Sequence, residues 1–182
     1  MRKSLNIEDM FVMGHIGRFN AQKNHGFLID IFMEVLKEKP NSVLLLIGTG
    51  PLEDDIKKKI EIKNIKEKVF ILGQRDDVND LLQVMDIFVL PSLFEGLGIV
   101  LIEAQATGLY CVTSDVVPIE AKVTTNIKFL SLNSSAKDWA KFIIEGHVKP
   151  IRNNLAMLTK KSGFDINEEA IRLENVYLDL DI

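Results

Sequence analysis

The chain of 182 residues is predicted to adopt an α/β fold in which a parallel sheet is flanked by helices. Short apolar runs alternate with longer segments whose apolar residues recur every three or four positions, the pattern of strands joined by crossover helices. The run at 43–47 is apolar throughout, as expected for a strand covered on both faces. The length and the 47% of apolar residues suit one domain with a sizeable core.

The predicted elements follow one another in a regular order. Apolar runs predict strands at 10–16, 43–47, 69–72, 87–90, 110–113 and, more weakly, 127–130. Helical spacing predicts helices from about 27 to 36, at 52–63, 78–85, from the loop at 95–98 to near Gly108, at 136–145 and at 167–180. Residues 146–154 are predicted to form a bend. In such open sheets the ligand lies beyond the carboxyl ends of the strands, so the following loops are the candidate site.

Composition excludes several classes of function. The net charge is −4 and the 22 basic residues are dispersed, so no nucleic-acid partner is expected. Cys111 lies in an apolar run, which favours a small buried side chain over a nucleophile. No apolar run approaches the roughly 20 residues that span a bilayer, and residues 1–9 do not resemble a signal peptide. A soluble, cytoplasmic protein is expected.

The loop after the first strand carries two cations, Arg18 and Lys23, between Gly17 and the following helix. A guanidinium can bind two phosphate oxygens at once, an ammonium adds a point charge, and the helix N-terminus adds a positive dipole end. Together these groups could hold a diphosphate. Spacing alone leaves the alternative, two solvated surface cations, equally open.

The loop after the second strand contains Gly48 and Gly50, followed by a proline, and predicts a sharp turn into a helix. It does not continue into the Gly-Lys-Ser/Thr of a P-loop, and no dinucleotide-binding fingerprint is present. This loop is weak evidence for a ligand by itself.

The loop after the fourth strand is the most informative. Glycines at 96 and 98 let the backbone approach a ligand, and the unpaired N–H groups of the next helix suit a phosphate. Glu95 precedes this helix and Glu103 lies within it, and a carboxylate accepts both hydroxyl donors of a sugar diol. The pattern indicates a nucleotide-linked sugar, although a solvated acid remains the alternative for Glu95. Glu103 is expected on a largely buried segment, where an unpaired charge is costly.

The pair Glu95 and Glu103, with seven residues between them, resembles the E-x7-E signature of family 4 retaining glycosyltransferases of the GT-B fold. The other loop motifs occur in the order and spacing of that family over about residues 10–145, and the stretch 94–125 is similar to enzymes of capsular or exopolysaccharide synthesis. The resemblance implies that the chain is a Rossmann-like C-terminal GT-B half, which binds the nucleotide-sugar donor.

Carried over by position, the resemblance assigns a role to each site residue. Arg18 and Lys23 would bind the diphosphate and stabilise it as leaving group, Glu95 would contact the sugar, and Glu103 the ribose. Backbone N–H groups of Gly98, Ile99 and Val100 would bind phosphate. Further donor-site positions are Gly17, Gly48, Gly50, Gln74, Arg75, Gly96 and Leu97, with Gln74 and Arg75 along the base. The resemblance favours a UDP-sugar and transfer with retention of configuration.

The family has an N-terminal acceptor domain that this sequence does not supply, so a fragment that transfers little sugar by itself is expected. The acceptor would be a glycan or a lipid-linked molecule, which allows peripheral association of the full-length enzyme with the inner face of the cytoplasmic membrane. The lysine-rich stretch 57–68 is diluted by acids, which favours a solvated helix face over a membrane-binding one. A GT-B sugar-nucleotide epimerase and a non-catalytic nucleotide-sugar sensor are the alternative functions.

No cofactor or metal is expected. The acidic pattern at 179–181 is far from any strand-to-helix loop, and the acid pairs at 54–55 and 76–77 suit first-turn helix charges or solvated loops. His15, His25 and His147 lack ligand spacing, which favours structural or surface roles.

Overall fold

Six parallel strands form the centre of the computed structural model, which describes residues 1–146 and 155–179. The strands are β1 (Phe11–Ile16), β2 (Ser42–Ile47), β3 (Val69–Ile71), β4 (Ile87–Leu90), β5 (Tyr110–Ser114) and β6 (Ile127–Leu130). Their order is β3-β2-β1-β4-β5-β6, and each neighbouring pair is parallel. The predicted fold class is therefore confirmed.

The helices connect these strands and cover both faces of the sheet. They are α1 (Arg2–Leu5), α2 (His25–Glu38), α3 (Glu53–Ile62), α4 (Val78–Val84), α5 (Ile99–Ala106), α6 (Ala136–Glu145), α7 (Leu155–Thr159) and α8 (Ile166–Asp179). A π-helical turn at Lys160–Phe164 joins α7 to α8, and single 3₁₀ turns occupy Ala21–Lys23, Lys66–Lys68 and Ile119–Ala121.

The sheet buries one apolar core on each face because side chains alternate along a strand. Met13 and Leu44 point into the core that contains Phe32 of α2 and Trp139 of α6. The neighbouring strand positions point into the other core, which contains Leu101 of α5. Cys111 is fully buried in this second core, and burial raises the pKa of its thiol far above the usual range. Its predicted role as a small buried side chain is confirmed.

The strand order places a topological switch between β1 and β4. The chain builds outward from β1 to β3, then crosses to the other side and starts again with β4. The loops that leave β1 and β4 consequently diverge towards opposite faces and leave a crevice beyond the carboxyl ends of the two strands. This crevice is where the fold itself favours a ligand.

Helix α1 is absent from the sequence prediction because four residues are too few to show periodicity. Contacts with the body of the domain hold it: the Arg2 guanidinium donates to the carbonyl of Val84 at 2.9 Å and pairs with Asp86 at 2.8 Å. Helix α7 was also not predicted. The predicted bend lies outside the described residues beyond Gly146, as do His147 and the end of the acidic pattern at 180–181.

Candidate functional site

The loop that leaves β1 folds back so that Lys23 lies across its own beginning. The Asn20 side chain accepts from the Lys23 backbone N–H at 3.2 Å, which caps the 3₁₀ turn, and Asn24 adopts the left-handed conformation before α2. A Cβ at Gly17 would lie 3.0 Å from the Lys23 side chain. The glycine therefore leaves room for the lysine stem to reach the crevice.

The Lys23 ammonium meets the Glu95 carboxylate from the loop after β4. Their charged atoms, Nζ and Oε1, are 2.5 Å apart, and the side chains are only 14% and 7% exposed. The buried Ser92 hydroxyl donates to the same carboxylate oxygen at 2.6 Å, and the Gln22 amide approaches the other oxygen at 3.4 Å. The two loops are thus joined through one carboxylate, which makes the solvated-acid alternative for Glu95 wrong.

The N-terminus of α5 completes the crevice. Gly98 precedes the helix with a left-handed φ of 78° and, being a glycine, has no side chain with which to cap the first N–H groups. Those N–H groups carry the positive end of the helix dipole. A cavity of about 410 Å³ lies here, lined by Ile16, Gly17, Lys23, Glu95, Leu97, Gly98, Ile99 and Val100. All of these except Ile16 are residues that the sequence predicted for the site.

Other predicted residues lie outside the lining of this cavity. Arg18 is exposed on the same loop as Lys23 and forms no ion pair with any residue that the structure describes. Gly96 is open, because a Cβ added there would have no heavy atom within 4 Å. Gln74 and Arg75 are exposed after β3, and Arg75 binds Asp77 through two hydrogen bonds of 2.8 and 2.6 Å.

Glu103 lies on the exposed face of α5, one turn beyond Ile99, and does not line the cavity. Its neighbours Leu101, Ile102 and Ala104 are buried as expected. The 3.6-residue period turns position 103 to the outer side of this buried helix. Partial desolvation still raises the pKa of Glu103 above its ordinary value.

Gly48 and Gly50 have a structural task that their sequence pattern did not reveal. A Cβ at Gly48 would lie 2.2 Å from the carbonyl oxygen of Gly17, and one at Gly50 2.4 Å from that of Phe19. The Phe19 N–H donates to the Thr49 carbonyl at 2.9 Å, so the two loops run against each other. The absence of side chains at Gly48 and Gly50 thus lets their loop pack against the loop that leaves β1.

Two histidines support the same loop at its ends. His15 of β1 and His25 of α2 are buried with ring centroids 4.6 Å apart, and Phe19 packs 4.6 Å from His25. His15 Nδ1 lies 2.9 Å from the Val89 carbonyl and so donates to it. Burial lowers the pKa of His15 to about 4 and that of His25 to about 3, so both rings are neutral near pH 7.

Ser92, Gln22 and Ile16 were not predicted for the site. Gln22 is next to Lys23 in the sequence, but its hydrogen bonds reach a loop 72 to 73 positions away. Ser92 is three positions from Glu95, and their hydrogen bond depends on the turn between them. Only the folded geometry shows these hydrogen bonds.

Among the described residues no group of three or more His, Cys, Asp and Glu side chains is arranged to hold a metal ion. No helix in those same ranges has the length and apolar character needed to cross a bilayer.

Solved structures share this architecture. Anabaena HepE, crystallised with UDP and glucose, superposes with a TM-score of 0.82 at 20% identity over 97% of this chain and 50% of that protein. WaaG, a glycosyltransferase involved in lipopolysaccharide biosynthesis, gives a TM-score of 0.74 at 19% identity over 91% of this chain and 46% of that protein. At these identities the likeness establishes the GT-B half as the fold.

Sequence relatives point to the same group of proteins. The putative glycosyltransferase EpsF of Bacillus subtilis is 34% identical over 93% of this chain and 45% of its own length. A UDP-Gal:α-D-GlcNAc-diphosphoundecaprenol α-1,3-galactosyltransferase of Escherichia coli is 36% identical over 58% of this chain and 28% of its own length. The chain thus spans less than half the length of these relatives. Residues 1–149 match the family described as Glycosyl transferases group 1, and the chain belongs to that family.

Proposed function

We propose that this chain is the domain of a glycosyltransferase that binds the nucleotide-sugar donor. The observation that carries the proposal is the cavity at the switch point, where Lys23, Glu95 and the N-terminus of α5 converge. A cation and helix N–H groups suit a diphosphate, and a carboxylate beside them suits sugar hydroxyls. Acceptor binding is assigned to the remainder of a longer enzyme, of which this chain covers the donor half.

In this proposal catalysis is mainly electrostatic. Lys23 and the exposed Arg18 bind the diphosphate and balance the negative charge that grows on it as the bond to the sugar breaks. The backbone N–H groups of Ile99 and Val100 share this task. Side chains of the protein supply the positive charge, so the reaction is assigned no metal and no cofactor. The resemblance to family 4 supports transfer with retention of configuration.

The remaining donor contacts are assigned to residues near the carboxyl edge of the sheet. Glu103, one turn along α5 from Ile99, is assigned to the ribose, whose hydroxyls would donate to its carboxylate. Gln74 and Arg75 leave β3 at the same carboxyl edge of the sheet and are assigned to the base. Arg75 would keep its bidentate pair with Asp77 and present the other edge of its guanidinium.

A UDP-sugar is the proposed donor. HepE was crystallised with UDP and glucose, and the Escherichia coli relative is named for UDP-Gal. That relative is also named for a diphosphoundecaprenol-linked sugar, which supports a glycan or lipid-linked acceptor in surface polysaccharide synthesis. A lipid-linked acceptor would bring the whole enzyme to the cytoplasmic face of the membrane.

Calorimetric titration with UDP, GDP and ADP tests the proposal. We expect the wild-type chain to bind UDP in preference to the other two, and Lys23→Met to weaken that binding by about tenfold to a hundredfold because a charge-assisted contact is lost. Lys37→Met is the matched control, since Lys37 pairs with Glu34 at the opposite end of α2. No binding of any of the three at millimolar concentration, or equal losses in both variants, would refute the assignment.

A further inference from the structure

The Glu95 carboxylate is paired with the Lys23 ammonium, the cation that a phosphate would need. Lys23 and Glu95 are in contact at 2.5 Å, and both side chains are almost withdrawn from water. An ion pair in such surroundings is screened far less than one at the surface. A phosphate that binds Lys23 must therefore compete with a partner already in place.

We propose that Glu95 is an internal counter-ion that the donor diphosphate displaces from Lys23, and that the displaced carboxylate then accepts the hydroxyl groups of the donor sugar. The inference rests on the proposed function and adds a consequence to it. When the nucleotide carries a sugar, the sugar hydroxyls donate hydrogen bonds to Glu95 in place of the lost ammonium. A nucleotide without sugar has no such donors for the carboxylate. The site would thus discriminate against the spent nucleotide and favour its release after transfer.

Ser92 keeps the carboxylate at the rim of the cavity while Lys23 changes partner. Its hydroxyl donates to Glu95 at 2.6 Å, and its own carbonyl accepts from the buried Ser114 hydroxyl at 2.6 Å, so Ser92 is fixed to β5. Gln22 adds a second connection, because its amide donates to the Phe94 carbonyl at 3.0 Å beside Glu95. We assign Ser92 and Gln22 as positioning residues for this carboxylate.

The lysine is the partner that can move. Its stem lies across Gly17, which has no side chain to confine it, and lysine is a flexible chain with three donors. Glu95 is held from two loops, whereas the Lys23 ammonium has Glu95 as its only side-chain acceptor among the described residues. Exchange therefore requires rotation of Lys23 towards the helix N-terminus and little movement of the backbone.

Titration with UDP alone tests the inference, because no sugar is present to bind the released carboxylate. We expect Glu95→Gln to bind UDP about tenfold more tightly than wild type, since the internal competitor is gone. Ser92→Ala, which loosens the carboxylate, should give a smaller gain. Glu103→Gln, the other acid of the same motif, should weaken UDP binding, and Glu34→Gln on the far end of α2 should leave it unchanged.

A double-mutant cycle separates displacement from simple repulsion between Glu95 and phosphate. If Glu95 acts by occupying Lys23, the gain from Glu95→Gln should vanish in the Lys23→Met background. Direct repulsion would persist or grow there, because no ammonium neutralises the carboxylate. A gain retained in that background would overturn the inference.

The outcomes also distinguish this inference from the function on which it rests. Binding of UDP by wild type with equal or weaker binding by Glu95→Gln would overturn the counter-ion role alone. Absence of UDP binding by every protein, with thermal melts showing each one folded, would overturn the proposed function and this inference together. The ratio of UDP-glucose affinity to UDP affinity gives a further test. It should fall in Glu95→Gln, because the variant has lost both the competitor of UDP and the carboxylate that accepts the sugar hydroxyls.

Discussion

At the scale of single residues, two glycines in loops that follow strands, Gly50 and Gly96, have different surroundings. A Cβ at Gly50 would lie 2.4 Å from the carbonyl oxygen and 2.7 Å from the nitrogen of Phe19, and backbone atoms cannot rotate away. A Cβ at Gly96 would meet nothing within 4 Å. The packing of the two loops therefore requires a glycine at position 50, whereas position 96 has room for a side chain.

Substitution by alanine separates these roles. We expect Gly50→Ala to lower the free energy of unfolding by about 2 to 3 kcal/mol, because the loops must part to admit the methyl group. Gly96→Ala should change it by less than about 0.5 kcal/mol. Urea denaturation measures both, and equal stabilities of the two variants would contradict this explanation of the loop packing.

The buried histidines predict a dependence of stability on pH. Desolvation lowers the pKa of His15 to about 4 and that of His25 to about 3, so the folded chain binds fewer protons than the unfolded chain below the ordinary value of 6.5. Unfolding then takes up protons, and stability falls as pH decreases from about 6.5 towards 4, by up to about 1.4 kcal/mol per pH unit for each ring.

The variant His25→Phe keeps a ring between His15 and Phe19 but removes one titrating group. We expect its unfolding free energy to decline less than that of wild type between pH 7 and pH 5, by about 1 to 2 kcal/mol. Denaturant melts at several pH values provide the comparison. Parallel curves for the two proteins would show that His25 does not contribute to the dependence.

At the scale of elements, the sequence predicted the strands well because helices cover both faces of the sheet. Strand β2 is buried at every position, and its residues after Ser42 form an uninterrupted apolar run. Short elements held by distant contacts were missed: α1 depends on the pairing of Arg2 with Asp86, and a four-residue segment carries no period of its own. Sheet order was not predicted, since local pattern does not specify which strands become neighbours.

Helix α6 shows local sequence deciding an element boundary. The Ser135 hydroxyl accepts from the Asp138 N–H at 3.2 Å, and the Asp138 carboxylate accepts from the Ser135 N–H at 3.1 Å, which forms a capping box. We expect Ser135→Ala to destabilise the domain by about 1 kcal/mol in a urea melt. Ser134→Ala, one position earlier, is the control, and an equal loss there would argue against the cap.

At the scale of the whole molecule, the site could be predicted in part. Loop motifs identified the groups that meet at the switch point, because the carboxyl ends of parallel strands share one edge. The sequence could not show that Lys23 and Glu95, 72 positions apart, form an ion pair, or that α5 turns Glu103 outward. The sequence also could not show that Gly48 packs against Gly17, because spacing does not distinguish approach to a ligand from approach to another loop.

Binding of a nucleoside diphosphate at this edge of the sheet is tested most directly by titration of the ¹⁵N-labelled chain with UDP. We expect amide shifts concentrated at Lys23, Gly98, Ile99 and Val100, with smaller changes along α5 towards Glu103. In Lys23→Met the same shifts should require about tenfold to a hundredfold more UDP. Shifts confined to the opposite edge of the sheet, or no shifts at millimolar UDP, would contradict the assignment of the donor site.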